Sequence, residues 1–310
     1  VASQPNHQFH GVIPPVVTPR SADGSIDTHS LTRVTKHLLE GGVHGLFVLG
    51  SSGEVPYLTN DERELVVTTI AGVNAGQVPL IVGASEQSTN RVIEEGRKMT
   101  ALGADALVVT SQFYALSDAK ETDTHFRSIH AALDVPIFAY DVPVRTNYKL
   151  PLDLLIQLGR DQVIAGVKDS SGDDVSFRQL SLAARSIENF SVFTGHEVVV
   201  DGALLGGADG VVPGLGNVDP AGYRRLYDAA KSGDFAKAAA EQDRLADVFN
   251  IVYAPTPGRV SGGAAGLGAF KTALMLMGVI DTNIMSAPMV TLNEPETAAI
   301  RTILERNGLI

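Results

Sequence analysis

The chain has 310 residues, 44% hydrophobic and 19% charged, so it is long enough to bury a large core. Its net charge of −11 at pH 7 argues against nucleic acid or an anionic membrane surface as the main partner, while leaving an anionic small substrate open. The absence of cysteine excludes disulfides and thiolate catalysis, and fits a reducing cytoplasm.

The opening "VASQPNHQFHG" carries neither the basic nor the apolar block of a signal peptide, and no apolar run is long enough to span a bilayer. The expectation is a soluble, cytoplasmic protein. Eight short apolar runs follow: "GVIPPVVT" (11–18), "GLFVLG" (45–50), "PLIVG" (79–83), "ALVVT" (106–110), "PIFAY" (136–140), "VIAGVK" (163–168), "SVFTG" (191–195) and "GVVPG" (210–214). Each is nearly all apolar rather than alternating, as parallel strands covered on both faces require. Helical stretches lie between them. "TNDERELVVTTIAGV" opens with Thr59 or Asn60 as cap and acids in its first turn, and "STNRVIEEGRKMTALG" stops at Gly103. "DDVSFRQLSLAARSI" and "DPAGYRRLYDAAKSG" repeat the scheme. Eight strand–helix units over roughly 230 residues predict an α/β protein of the closed (β/α)8, or TIM, barrel type, with an open doubly wound sheet as the alternative.

From about Asp234 the strand signal ends. "FAKAAAEQDRLADVFNIVYA", "GAFKTALMLMGVI" and "ETAAIRTILERNG" are helical, so residues 1–232 are expected to form the barrel and 233–310 a C-terminal helical extension. "SGGAAGLGAFKT" superficially resembles a nucleotide loop. It has no Gly-Lys dipeptide and no strand before it, which points to a helix-entry loop.

In such a barrel the active site sits at the C-terminal ends of the strands. Those ends read "GSSGE", "TSQFY", "YDVPVRT", "GVKDSSGD" and "TGHE". Lys168 and Tyr140 come from neighbouring strands. A lysine desolvated among apolar groups can act as a neutral amine toward a ketone, and a phenol beside it can shuttle protons. The competing readings are a Lys168–Asp169 salt bridge, disfavoured by strand alternation, and an ordinary core tyrosine. Ser51 and Ser52 can hold a carboxylate, or simply make a tight turn. Arg145 can clamp an anion or sit in a rim salt bridge. His196 and Glu197 can touch substrate or cap a helix, and "GADGVVPGLGN" can bind phosphate or let the backbone approach a ligand. Metal chemistry finds little support, because the eight histidines are scattered and no HExxH pattern occurs.

Taken together, these motifs resemble the dihydrodipicolinate synthase/N-acetylneuraminate lyase family over essentially the whole chain. "GSSGE" is similar to that family's G-[ST]-[ST]-G-E, "YDVPVRT" to its Y-N-x-P, and "GVKDSSGD" to its G-[IV]-K-x-[AS]-[ST]-G-[DN]. The resemblance implies a class I, Schiff-base lyase acting on pyruvate or a pyruvate-yielding 2-oxo acid, with no cofactor beyond a covalent imine on Lys168. It implies Tyr140 as general acid/base, Ser51 as its proton relay and Ser52 as a carboxylate contact. Tyr114 matches a tyrosine that enters a neighbouring subunit's site, Gly166 and Val211 fall near backbone positions lining the pyruvate pocket, and a homotetramer built from tight dimers is implied.

The departures bear on substrate. Synthases usually carry threonines at Ser51 and Ser52, proline at Gln112 and asparagine at Asp141, although Arg145 is retained as in the synthases, where it binds the aldehyde's carboxylate. The positions of lysine feedback hold Asn60, Arg63, Gln87 and Arg91, which do not reproduce a carboxylate-containing ammonium site. The expected activity is therefore cleavage or formation of a 2-keto-3-deoxy sugar acid, or a related hydroxy-2-oxo acid, from pyruvate and an aldehyde. Condensation of pyruvate with aspartate semialdehyde is the second enzymatic reading. A metal-dependent barrel lyase and a pyruvate-binding regulator without turnover are the others.

Overall fold

The computed structural model describes residues 9–310. Residues 1–8, and with them most of the opening stretch that lacks a signal-peptide pattern, lie outside the described residues. Eight strands run β1 (Gly11–Val12), β2 (Leu46–Val48), β3 (Leu80–Gly83), β4 (Ala106–Thr110), β5 (Ile137–Asp141), β6 (Gly166–Asp169), β7 (Ser191–Thr194) and β8 (Gly210–Val211). All their pairings are parallel, in the order β1-β8-β7-β6-β5-β4-β3-β2. The ring closes where Pro15 bridges Phe47 of β2, with the Val16 N–H donating to the Phe47 carbonyl at 2.8 Å. The expected open-sheet alternative is thereby excluded, and the fold is a (β/α)8 TIM barrel.

Helices return the chain between strands: α1 (Thr28–Glu40), α2 (Asn60–Asn74), α3 (Thr89–Ala101), α4 (Ala119–Ala132), α5 (Pro143–Thr146), α6 (Leu152–Arg160), α7 (Asp174–Ala184), α8 (Val200–Gly206) and α9 (Pro220–Lys231). Their starts are written locally. Thr59 and Asp118 form capping boxes with Glu62 and Glu121, and Asp27, Asp173 and Asp219 cap α1, α7 and α9. Gly103 follows α3 at φ +102°, a left-handed backbone that suits glycine.

Most strands end within one or two residues of the sequence reading, but β1, β6 and β8 differ by three or more, and β8 stops at Val211 rather than 214. The first strand stops at Val12 because Pro14 and Pro15 have no N–H to give the ladder. The sixth begins at Gly166, not 163, because the Val163 N–H turns back to the Leu158 carbonyl at 2.9 Å.

The strands carry two apolar layers. Phe9, Ile13, Phe47, Ile81, Val108, Phe138 and Phe193 fill the barrel interior, with Phe138 edge-on to Phe9 and Phe193 at 5.3 and 5.8 Å between ring centres. The outer faces pack on the helices, and that core continues into the tail helices α10 (Phe235–Phe249), α11 (Gly262–Leu276) and α12 (Glu294–Arg306) through Leu245, Val248, Phe270 and Ile300. The sequence places α11 from Gly268. It starts six residues earlier, capped by Ser261, whose hydroxyl accepts the Ala264 N–H. The glycines expected in an entry loop are therefore its first turns. No helix among the described residues is long and apolar enough to cross a membrane.

Candidate active site

Strand alternation sorts the residues of β6. Gly166 and Lys168 face the barrel interior, whereas Val167 and Asp169 face the helices. Lys168 is only 6% exposed. Its Nζ lies 4.1 Å from the ring centre of Tyr140, its register partner on β5, and 4.6 Å from that of Phe47. The salt bridge with Asp169 does not form. Asp169 instead accepts from Lys149 at 3.2 Å and from the Ser171 N–H at 2.7 Å. Gly166 lets β6 pack closely on its neighbours: a Cβ there would meet the Ser191 carbonyl at 2.2 Å and the Phe138 ring at 2.6 Å.

Tyr140 is buried beside that ammonium. Burial pushes its phenol upward, but the Lys168 charge and hydrogen bonding with Ser51, Ser170 and Lys168 outweigh it, and the phenol ends below its usual value. A phenol so placed is better able to give and retake a proton. Ser170 was invisible as a partner in the sequence, since it follows two charged residues in a loop. Its backbone N–H is pinned to the Asp141 carbonyl at 2.8 Å. Asp141, 0% exposed, also receives Lys149 and the Leu150 N–H, and its burial raises the carboxyl above the usual range against the pull of Lys149.

The "GSSGE" turn brings Ser51 to the phenol through strained backbone. Leu49 and Glu54 both adopt left-handed conformations, at φ +57° and +60°. A buried ion pair holds them: Glu54 receives the Lys271 ammonium of α11 at 2.7 Å and the Ser286 N–H at 2.8 Å. Burial lowers the Lys271 pKa, against the charge of Glu54. This link between the second strand's loop and the tail is absent from the sequence reading. An E in a "GSSGE" turn and a lone Lys in an apolar helix, 217 residues apart, give no local signal of each other.

Tyr140 and Phe47, the two rings that hold the Lys168 amine, line a cavity of about 1070 Å³, whose lining does not include Lys168 itself. Ser51, Thr110, Tyr140 and Arg145 line it, together with the first residues of α11. Arg145, on the short helix α5, lays its guanidinium within 3.3 Å of the Cβ position of Gly263, and has no ion-pair partner among the described residues. Ser52 shares the turn with Ser51 but does not line the cavity, and neither do Gly166, two residues before Lys168 on β6, and Val211, whose side chain packs in the outer core. Tyr114, in the β4–α4 loop, is 86% exposed and does not line this chain's own cavity.

At the seventh strand, Glu197 does not cap a helix. Its carboxylate accepts the Leu215 N–H at 2.5 Å, tying that strand end to the turn after β8, and burial pushes it up to about 7 against the charge of Lys168. His196 pairs with Asp174 at 3.0 Å. The reading of Arg63 and Arg91 needs correcting in one respect. Carboxylates do stand there: Glu86 receives Arg63 at 2.6 Å and Arg91 at 3.0 Å, and Glu95 stands 3.4 Å from Arg63.

An amine held against two aromatic rings, a phenol beside it, serine hydroxyls that help lower that phenol and a guanidinium without an ion-pair partner in the cavity wall suit chemistry on a carbonyl acid. Comparison with known proteins agrees. The dihydrodipicolinate synthetase family matches residues 8–307. An uncharacterized DapA-like lyase of Halobacterium salinarum is 33% identical over 302 residues, 97% of this chain and 95% of that one. A 4-hydroxy-tetrahydrodipicolinate synthase of Phenylobacterium zucineum is 33% identical over 86% of this chain and 90% of its own. Among solved structures, a prophage protein of the dihydrodipicolinic acid synthase family from E. coli K12, in complex with pyruvate, superposes with a TM-score of 0.90 at 27% identity, covering 97% and 99% of the two chains. The chain belongs to the dihydrodipicolinate synthetase family of lyases.

Proposed function

We propose that this lyase is a Schiff-base-forming, pyruvate-dependent aldolase that cleaves or forms a 2-keto-3-deoxy sugar acid or a related hydroxy-2-oxo acid. The observation that carries it is the Lys168 amine, 4.1 Å from the ring of Tyr140, which lines a cavity of about 1070 Å³. That volume is ample for a sugar acid. In this reading the Lys168 amine attacks the C2 carbonyl, and Tyr140 gives its proton to the departing water, leaving a protonated imine and a Tyr140 phenolate. Tyr140 takes the proton of the C4 hydroxyl. The C3–C4 bond breaks, its electron pair flows into the imine to give an enamine, and the aldehyde departs. Tyr140 returns its proton at C3 through Ser51, and water releases pyruvate from Lys168. The imine is itself the electron sink, so no cofactor takes part. Ser52 and the backbone of its turn receive the carboxylate, Tyr114 contacts a neighbouring copy's site, and Gly166 and Val211 contribute backbone near the imine rather than side chains.

The second reading, condensation of pyruvate with aspartate semialdehyde, is favoured by the unpaired guanidinium of Arg145 in the cavity wall and by the names of several relatives. The serine pair in place of the synthases' threonines leans the other way. Incubation with pyruvate and borohydride should place one reduced pyruvate on Lys168, read by peptide mass spectrometry. An active enzyme without that adduct would remove the mechanism. A panel of 2-keto-3-deoxy acids assayed for pyruvate release, beside the aspartate semialdehyde condensation, then separates the two substrates. In the first reading Arg145→Ala affects cleavage mildly; in the second it raises the Michaelis constant for the semialdehyde strongly and leaves that for pyruvate unchanged.

A further inference from the structure

Among the described residues, four buried side-chain polar atoms lack a hydrogen-bond partner: Arg63 Nε, Thr110 Oγ1, Ser111 Oγ and His125 Nε2. Such atoms are rare in native proteins, because water is lost and nothing replaces it. Only Arg63 and Thr110 belong to residues that line the cavity. Arg63 spends Nη1 on Glu86 and Glu95 and Nη2 on the Val55 carbonyl. Thr110 has a single polar side-chain atom, and it is unused. The residue is 7% exposed, at the end of β4.

Its position is set by register. Thr110 pairs with Tyr140, and Tyr140 pairs with Lys168, so three polar groups stand in one row across β4, β5 and β6. Neighbouring strands are about 4.8 Å apart, which puts Thr110 roughly 10 Å from the Lys168 backbone with Tyr140 midway. A ligand joined to Lys168, with its reacting hydroxyl at Tyr140, runs its remaining carbons toward Thr110. A threonine hydroxyl gives one hydrogen bond and accepts two, which suits an alcohol better than a carboxylate or an alkyl group.

We propose that Thr110 is a specificity-determining residue whose hydroxyl hydrogen-bonds a hydroxyl on the aldehyde portion of the substrate, selecting polyhydroxylated chains. The assignment rests on the Schiff-base reading above and deepens it. A site built to bond a hydroxyl rejects the analogue lacking it, because the buried group is then left unpaired.

The test compares aldol addition of pyruvate to D-glyceraldehyde and to propanal, with kcat/KM for each, in the wild type and in Thr110→Val, Thr110→Ser and Ser111→Ala. Borohydride trapping of pyruvate is run on every variant. The preference for glyceraldehyde should fall about tenfold in Thr110→Val, the scale of one lost hydrogen bond, and return in Thr110→Ser. Trapping should stay at the wild-type level, and Ser111→Ala should keep the preference. An unchanged preference in Thr110→Val with trapping intact overturns the assignment alone, and so does an equal loss in Ser111→Ala. No adduct on Lys168 in the wild type overturns the Schiff-base reading and this assignment with it.

Discussion

At the scale of single residues, the site depends on a charge and a phenol that each change the other's cost of burial. Lys168 has no ion pair among the described residues, and its charge is met by the faces of Tyr140 and Phe47. The phenol is lowered by that same charge, so removing either group alters the other. Tyr140→Phe should retain imine formation yet lose turnover by about 100-fold or more, the usual scale of acid/base catalysis, measured by steady-state kinetics beside borohydride trapping. Ser170→Ala should move in the same direction by a smaller factor, because Ser51 still bonds the phenol. Wild-type turnover in Tyr140→Phe would exclude the tyrosine from proton transfer. The arginine pair near the cavity supports a further expectation. Glu86 is already taken by Arg63 and Arg91, so millimolar lysine finds no free carboxylate there and should leave the rate unchanged. Clear inhibition would contradict it.

At the scale of elements, the loop carrying Ser51 is held from a distance. Lys271 and Glu54 are both 0% exposed, and each is costly without the other. Lys271→Met should destabilise the fold by about 3–5 kcal/mol in chemical denaturation, and adding Glu54→Gln should recover part of it. A change within about 0.5 kcal/mol would show that the pair is not what fixes the turn. Helix α4 contains a second buried titratable group. Burial lowers His125 to about 4, from an ordinary value near 6.5. Between those values the unfolded chain binds the proton more readily, so the stability due to the neutral ring is complete above pH 6.5 and is lost as pH falls toward 4. Denaturation midpoints should drop across that interval, by about 1–3 kcal/mol for this ring, and His125→Gln should flatten the drop.

At the scale of the whole molecule, apolar side chains are left at the strand-end face. Tyr114, Leu116 and Val144 are 86, 62 and 79% exposed, the first two on the loop after β4 and the third on helix α5. A face of this kind rimmed by polar residues marks a protein contact, and a homotetramer in which Tyr114 meets a neighbouring copy is the assembly we propose. Sedimentation velocity should give a species larger than one chain, reduced by Leu116→Lys. A monomer at all concentrations would refute it.

What the sequence by itself determined is local or periodic. Eight apolar runs separated by capped helices specify a parallel sheet wrapped by helices, because strand and helix periods and Asp or Thr caps act within a few residues. Strand alternation likewise sends Lys168 and Asp169 to opposite faces, and three motifs at the strand ends name the family. The tertiary structure decided what depends on contacts between distant segments. It set the register that lines Thr110, Tyr140 and Lys168 in one row, the Ser170 contact to the phenol, the anchoring of "GSSGE" by Lys271, and the use of the first turns of α11 as a cavity wall. None of these follows from spacing along the chain. Each arises only when ring closure fixes which groups lose water together, and a buried polar group must then find its partner wherever the fold supplies one.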